Sequence, residues 1–210
     1  MQSSVNKIVA TVALCVAFQT HAAEEDFPLV QDKYDYCTVC HGVQLMGNAI
    51  LKAPRLSGMK TWYTELQLRN YRNETRGLHA EDPYGYEMLP MAADLSDDQI
   101  REVAQFVSAT RSPPPPVTVA GNAEKGKALY TSCAACHGVD GKGNEALGSP
   151  DLTITNDWYN VIQLKNFKSG GRGGAPGDML GAQMRASVQI LTDDDAILDV
   201  VSYINTLQNK

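Results

Sequence analysis

The chain has 210 residues, 43% hydrophobic and 20% charged, with a formal net charge of -6. That length allows one large or two small domains, and the apolar fraction excludes disorder as the default. The acidic balance argues against nucleic acid as a partner.

The N-terminus opens with Lys7, then an apolar run over residues 8–18, then Thr20-His21-Ala22-Ala23 and the acidic Glu24-Glu25-Asp26. Residues 1–23 read as an export signal, cleaved near Ala22/Ala23, that sends the chain to the periplasm. The run is short against the ~20 apolar residues that span a bilayer; an uncleaved anchor is the alternative. No later stretch reads as a membrane helix, so peripheral association is the remaining way to a membrane. Cys15 falls inside the signal after Leu14, where a lipidated cysteine would follow a small residue.

Next comes Cys37-Thr-Val-Cys40-His41, and its match Cys133-Ala-Ala-Cys136-His137 lies further on. Both are C-x-x-C-H, the attachment signature of a c-type haem. On a helical turn, positions three apart share a face, so both sulfurs reach the vinyl groups of one porphyrin. The adjacent histidine then supplies the proximal iron ligand. A redox dithiol, a disulfide or half of a zinc site are the alternatives. The histidine directly after each pair, and export, favour two covalent haems.

Between the motif and the end of copy one, residues 61–72 suit a helix. Met88 follows, with Met91 close by. Ser96 and Gln99 form a capping box before a last helix with Ile100, Val103, Ala104 and Val107 on one face. Ser112-Pro113-Pro114-Pro115-Pro116 is then an extended spacer. Residues 24–111 form the first domain, 112–120 the linker and 121–210 the second domain. In copy two, Asn122 or Ala123 opens the helix into the second motif and residues 156–168 form the middle helix. Thr192 caps a last helix that buries Ile197, Val200, Val201 and Ile204.

The copies keep register at an offset of 96 positions. Trp62-Tyr63 answers Trp158-Tyr159, Gln67 answers Gln163, Arg76-Gly77 answers Arg172-Gly173, Asp82 answers Asp178, and Met88 answers Met184. The expected fold is all-α, one compact haem domain duplicated in tandem. The group opposite each histidine separates a carrier from a catalyst. Met88 and Met184 are the candidates that recur in register, whereas Met91 faces Ser187 and His79 faces Ala175. Thioether on both irons leaves no vacancy for a reactant. Arg76 and Arg172 are candidates for haem propionates or ordinary surface arginines. Trp62 and Trp158 are candidates for the same contact or for the core.

The paired motifs, each with a downstream Met and then Leu-Ser/Thr-Asp, resemble dihaem cytochromes of the cytochrome c4 type. Gln67-Leu-Arg-Asn-Tyr71, Arg76-Gly77 and the Tyr84-to-Ala93 pattern are also similar to haem domains fused to subunit II of haem–copper oxidases. The resemblance implies two tandem class I cytochrome c domains, thioethers at Cys37, Cys40, Cys133 and Cys136, and axial pairs His41–Met88 and His137–Met184. It implies an electron carrier in a respiratory chain, fed by a quinol-oxidising complex or dehydrogenase and delivering to a terminal oxidase. The alternatives are an electron-entry subunit of a membrane complex, or a dihaem enzyme such as a peroxidase or thiosulfate dehydrogenase. Copy two departs from the pattern at Met184-Arg-Ala-Ser-Val, where copy one has Met88-Leu-Pro-Met-Ala.

Overall fold

A computed structural model describes residues 34–208. The signal-peptide reading lies outside the described residues. Apart from two isolated bridges, Asn48 with Ala53 and Asn144 with Ser149, the described residues form helices and loops.

The first half runs α1 (Asp35–His41), α2 (Thr61–Arg72), α3 (Pro83–Tyr86), α4 (Met88–Ala92) and α5 (Asp97–Ala109). The second runs α6 (Ala123–His137), α7 (Asp157–Ser169), α8 (Met179–Ser187) and α9 (Asp194–Asn205). Each haem-attachment motif closes a helix, α1 or α6. Helix α2 packs on α5, and α7 and α6 both pack on α9.

The last helix of each half carries the core. Ile100, Val103, Ala104 and Val107 are buried on α5, and Ile197, Val200, Val201 and Ile204 on α9. These are the stripes that the 3.6-residue period predicts. Ser96 and Gln99 form the capping box: the Gln99 amide N–H donates to Ser96 Oγ, 3.2 Å, and the Ser96 N–H to Gln99 Oε1, 2.8 Å. In copy two the cap is Asp193, not Thr192. Asp193 Oδ1 accepts from the Ala196 N–H at 2.8 Å, and Thr192 instead donates its hydroxyl to Asp193. The extra residue here shifts the first turn, and a carboxylate suits the positive helix start better than a hydroxyl.

Between the halves, residues 110–122 are non-helical and strapped at both ends. Arg55 Nη2 donates to the carbonyls of Ser112, 3.0 Å, and Pro113, 3.2 Å. At the other end the fully buried Asp157 accepts from Thr118 N–H and Oγ1, both 2.6 Å, and from Val119 N–H, 2.7 Å. Nothing in local sequence pattern singles out Arg55 or Asp157, because their partners lie across the molecule. Asn156 locks the two halves from a third side, taking the Arg55 N–H on Oδ1 at 2.7 Å and donating to the Met46 carbonyl.

Burial alone would raise the Asp157 carboxyl, but the Thr118, Val119 and Trp158 donors outweigh it and hold it below the usual range. A depressed folded value gives stability that is complete above the unfolded value of about 3.9 and lost as pH falls through the folded one. Asp157→Asn is expected to cost about 1–3 kcal/mol near neutral pH and to remove this part of the acid sensitivity. Denaturant unfolding, followed near neutrality and below about pH 4, checks both effects.

Candidate haem sites

Both histidines sit where a helix ends and the chain reverses. Gly42 and Gly138 follow them at φ +78° and +79°, where a side chain is strained. A Cβ on Gly42 would also lie 2.8 Å from the Gly47 carbonyl oxygen. The reversal lets Gly47 N–H donate to the His41 carbonyl at 2.7 Å, and Gly143 N–H to the His137 carbonyl at 2.9 Å. The loops then close through the Asn48–Ala53 and Asn144–Ser149 bridges.

This loop geometry delivers one proline carbonyl to each imidazole. His41 Nδ1 lies 2.7 Å from the Pro54 oxygen and His137 Nδ1 lies 3.0 Å from the Pro150 oxygen. A carbonyl only accepts, so Nδ1 carries the proton and Nε2 keeps its lone pair. Each histidine is 6% exposed. Burial pushes both imidazoles down toward the neutral form, with the proline carbonyl opposing it only in part. A neutral imidazole anchored through Nδ1 is the form in which histidine binds a metal.

A continuous cavity of about 710 Å³ is lined by His41, His137 and all four cysteines of the two motifs. No disulfide joins these cysteines. Among the described residues, no three His, Cys, Asp or Glu side chains gather into a metal cage, so the zinc reading finds no support. Met88 lines the cavity and packs on the first core; Met184 lines it and packs on the second. Met91 also reaches the cavity but is 46% exposed.

Arg76 and Arg172 line the same cavity and are 6% and 8% exposed, so neither is an ordinary surface arginine. Each bonds within its own half and across the seam. Arg76 Nη1 donates to Gln67 Oε1, 2.6 Å, while its Nη2 donates to Tyr159 Oη, 3.0 Å, and Gln163 Oε1, 3.1 Å. Arg172 mirrors this, with Nη1 to Gln163 Oε1, 2.8 Å, and Nη2 to Tyr63 Oη, 3.0 Å, and Gln67 Oε1, 2.9 Å. Arg76 Nε is buried without a partner. An orphaned guanidinium N–H, a mostly apolar cavity, unpaired attachment cysteines and oriented neutral imidazoles fit a haem, whose carboxylates Arg76 could hold.

Trp62 and Trp158 are not among the cavity-lining residues; their neighbours Tyr63 and Tyr159 are. Trp62 instead borders a small gap with Pro150 and Ile154, and Lys52 Nζ lies 5.9 Å from the Trp158 ring centre. Tyr63, Tyr159 and Gln163 are site residues that the sequence marked only as part of the repeated register, and Gln67 one that it marked there and in the family resemblance.

A cytochrome c family model matches residues 30–111 and again residues 123–208. The chain belongs to the cytochrome c family. Two such domains, each with its C-x-x-C-H motif, make it a dihaem protein with two covalently bound haem c groups, of the c4 type. It is 28% identical to a thiosulfate dehydrogenase electron acceptor of Stutzerimonas stutzeri (strain A1501), over 97% of this chain and 95% of that one. It is 30% identical to cytochrome c-552 of Acidithiobacillus ferridurans, over 82% and 78% respectively. The solved cytochrome c4 of Acidithiobacillus ferrooxidans superposes with a TM-score of 0.66 at 26% identity, over 82% of this chain and 99% of that one.

This c4-type cytochrome is expected to carry two haem equivalents per chain by pyridine haemochrome assay. Substituting Cys37→Ser and Cys40→Ser together should leave one, attached in the second half; loss of both would show that the halves do not load independently.

Proposed function

We propose that this dihaem electron carrier works in the periplasm, with redox proteins as its partners and as part of a respiratory chain, and that His41–Met88 and His137–Met184 are the axial pairs. The observation that carries this reading is the pairing, in both halves, of a buried neutral imidazole with a methionine set into the core bordering the same cavity. Met88 is favoured over Met91 because it is partly buried against the core, whereas Met91 is 46% exposed.

When bound, each haem supplies one-electron iron chemistry. The chain holds one imidazole with its lone pair turned inward, offers one thioether that favours the reduced iron, and excludes water with its apolar wall. His41 with Met88, and His137 with Met184, would hold each iron from both sides and leave no place for a substrate, which favours a carrier over a peroxidase or a thiosulfate-oxidising enzyme. No described helix is long and apolar enough to cross a membrane.

The acceptor in this reading is a terminal oxidase; relatives named as subunits of cbb3-type oxidases support that end of the chain. For the donor, a quinol-oxidising complex is one reading. The alignment with a thiosulfate dehydrogenase electron acceptor over nearly its whole length favours a second, a thiosulfate dehydrogenase as the donor. Stopped-flow reduction by each purified donor separates the two.

In the resting oxidised protein a methionine–iron charge-transfer band is expected, with no rapid addition of carbon monoxide to the reduced form. Met88→Ala and Met184→Ala should each remove part of that band, open one haem to carbon monoxide and lower its potential. If Met91→Ala does this and Met88→Ala does not, Met91 is the ligand of the first iron.

A further inference from the structure

The guanidinium groups of Arg76 and Arg172 stand at the meeting point of the two halves. Both donate to the same oxygen, Gln163 Oε1, and both donate to its repeat counterpart, Gln67 Oε1. They are therefore within two hydrogen-bond lengths of each other. Arg76 with Arg172, Gln67 with Gln163 and Tyr63 with Tyr159 are all pairs at the repeat offset of 96 positions. The hydrogen bonds exchange accordingly, each arginine reaching the other half's tyrosine and glutamine. The cluster thus lies on the pseudo-twofold axis that relates the two haem clefts.

The direct partners on the protein are neutral. Among the described residues neither guanidinium forms an ion pair with a carboxylate; the ion pairs there lie elsewhere. Asp82 and Asp178 line the cavity nearby and cap their own helices through the N–H of Gly85 or Gly181; Asp82 also accepts from Asn166 Nδ2 at 2.8 Å, and its charge acts on Arg76 without a direct bond. Each arginine is also held flat over an aromatic ring of its own half, Arg76 over Tyr71 at 4.6 Å and Arg172 over Phe167 at 4.5 Å. The field reaches across the seam: burial would raise the Tyr63 phenol, yet the charges of Arg172 and Arg76 together bring it below its ordinary value.

We propose that Arg76 and Arg172 form one shared electrostatic element that sets the potentials of both haems together, instead of each arginine tuning the haem of its own half. A positive charge favours the reduced iron, which carries one positive charge fewer than the oxidised iron. The pair straddles the axis, each guanidinium about one hydrogen-bond length from it, so both irons feel either charge to a comparable degree. Burial keeps solvent and salt from screening it. The inference rests on the two bound haems and is independent of which group caps either iron.

The test is a spectroelectrochemical titration of the holoprotein. Arg76→Gln should lower both midpoint potentials by comparable amounts, on the order of a tenfold change in each one-electron equilibrium, or 59 mV. Arg172→Gln should give the same pair of shifts, and Arg76→Lys, which keeps the charge, should restore most of both. Gln67→Glu gives a second route that removes no arginine and adds a carboxylate between the two guanidinium groups; it should also lower both potentials. A shift confined to the first haem in Arg76→Gln and to the second in Arg172→Gln would overturn the proposal, as would unmoved potentials in Gln67→Glu. The methionine–iron band, read on the same samples, reports separately on axial ligation.

Discussion

One hydrogen bond, made twice, fixes the rest of the site: a buried imidazole Nδ1 donating to a proline carbonyl thirteen residues on. It sets the tautomer, the ring plane and the direction of Nε2. To make it, the chain must reverse directly after the histidine, which is why a glycine stands there in both halves. The reversal must also return at a fixed length, which the paired bridges and the glycine-to-histidine backbone bonds enforce. Each loop is therefore a rigid bracket built around one nitrogen. The cost of burying an imidazole is offset because its only buried donor is satisfied and its other nitrogen would hold the iron of a bound haem.

What was legible in the sequence was what local rules control. The attachment motifs, the duplication, the Ser96–Gln99 box and the apolar stripes of the last helices all follow from spacing and periodicity, and all stand in the structure where these predict. The cap of the last helix was misplaced by one residue, because Thr192 and Asp193 are both good caps and the extra residue in copy two removes the guide of the first copy. Arg76 and Arg172 were open between surface and site. Their burial depends on docking of one half against the other, which no helical period encodes. The same holds for Arg55, Asn156 and Asp157, whose bonds to the linker and to the other half span more than thirty residues.

Two kinds of contact hold the halves together, and they differ in symmetry. The arginine–glutamine–tyrosine cross obeys the repeat. The Arg55, Asn156 and Asp157 contacts do not: their repeat counterparts are Asp151, Lys60 and Thr61, of different chemistry. A pseudo-symmetric seam alone leaves a tandem pair free to slide to nearby registers of similar energy. The asymmetric contacts, with the proline segment held at both ends, select one. Fixed separation and orientation of two centres is what a two-electron-site carrier requires, since its internal transfer depends on geometry that must not change between encounters.

The same distinction divides the ways in which the two centres differ. Elements on the axis are repeated: Arg76 and Arg172, Gln67 and Gln163, Tyr63 and Tyr159. Off the axis the haem-holding brackets are kept, but the charges around the methionine-bearing helices have diverged. Glu87 precedes Met88 where Gln183 precedes Met184, and Leu89 follows Met88 where Arg185 follows Met184. A charge beside one methionine is near one cleft and remote from the other, so its field is local, whereas a charge on the axis is common to both. Divergence off the axis changes one centre relative to its neighbour; a change on the axis moves the pair together. The repeat has kept the shared term and altered the private ones, which is the arrangement that lets two copies of one domain hold unequal sites without losing the fit between them.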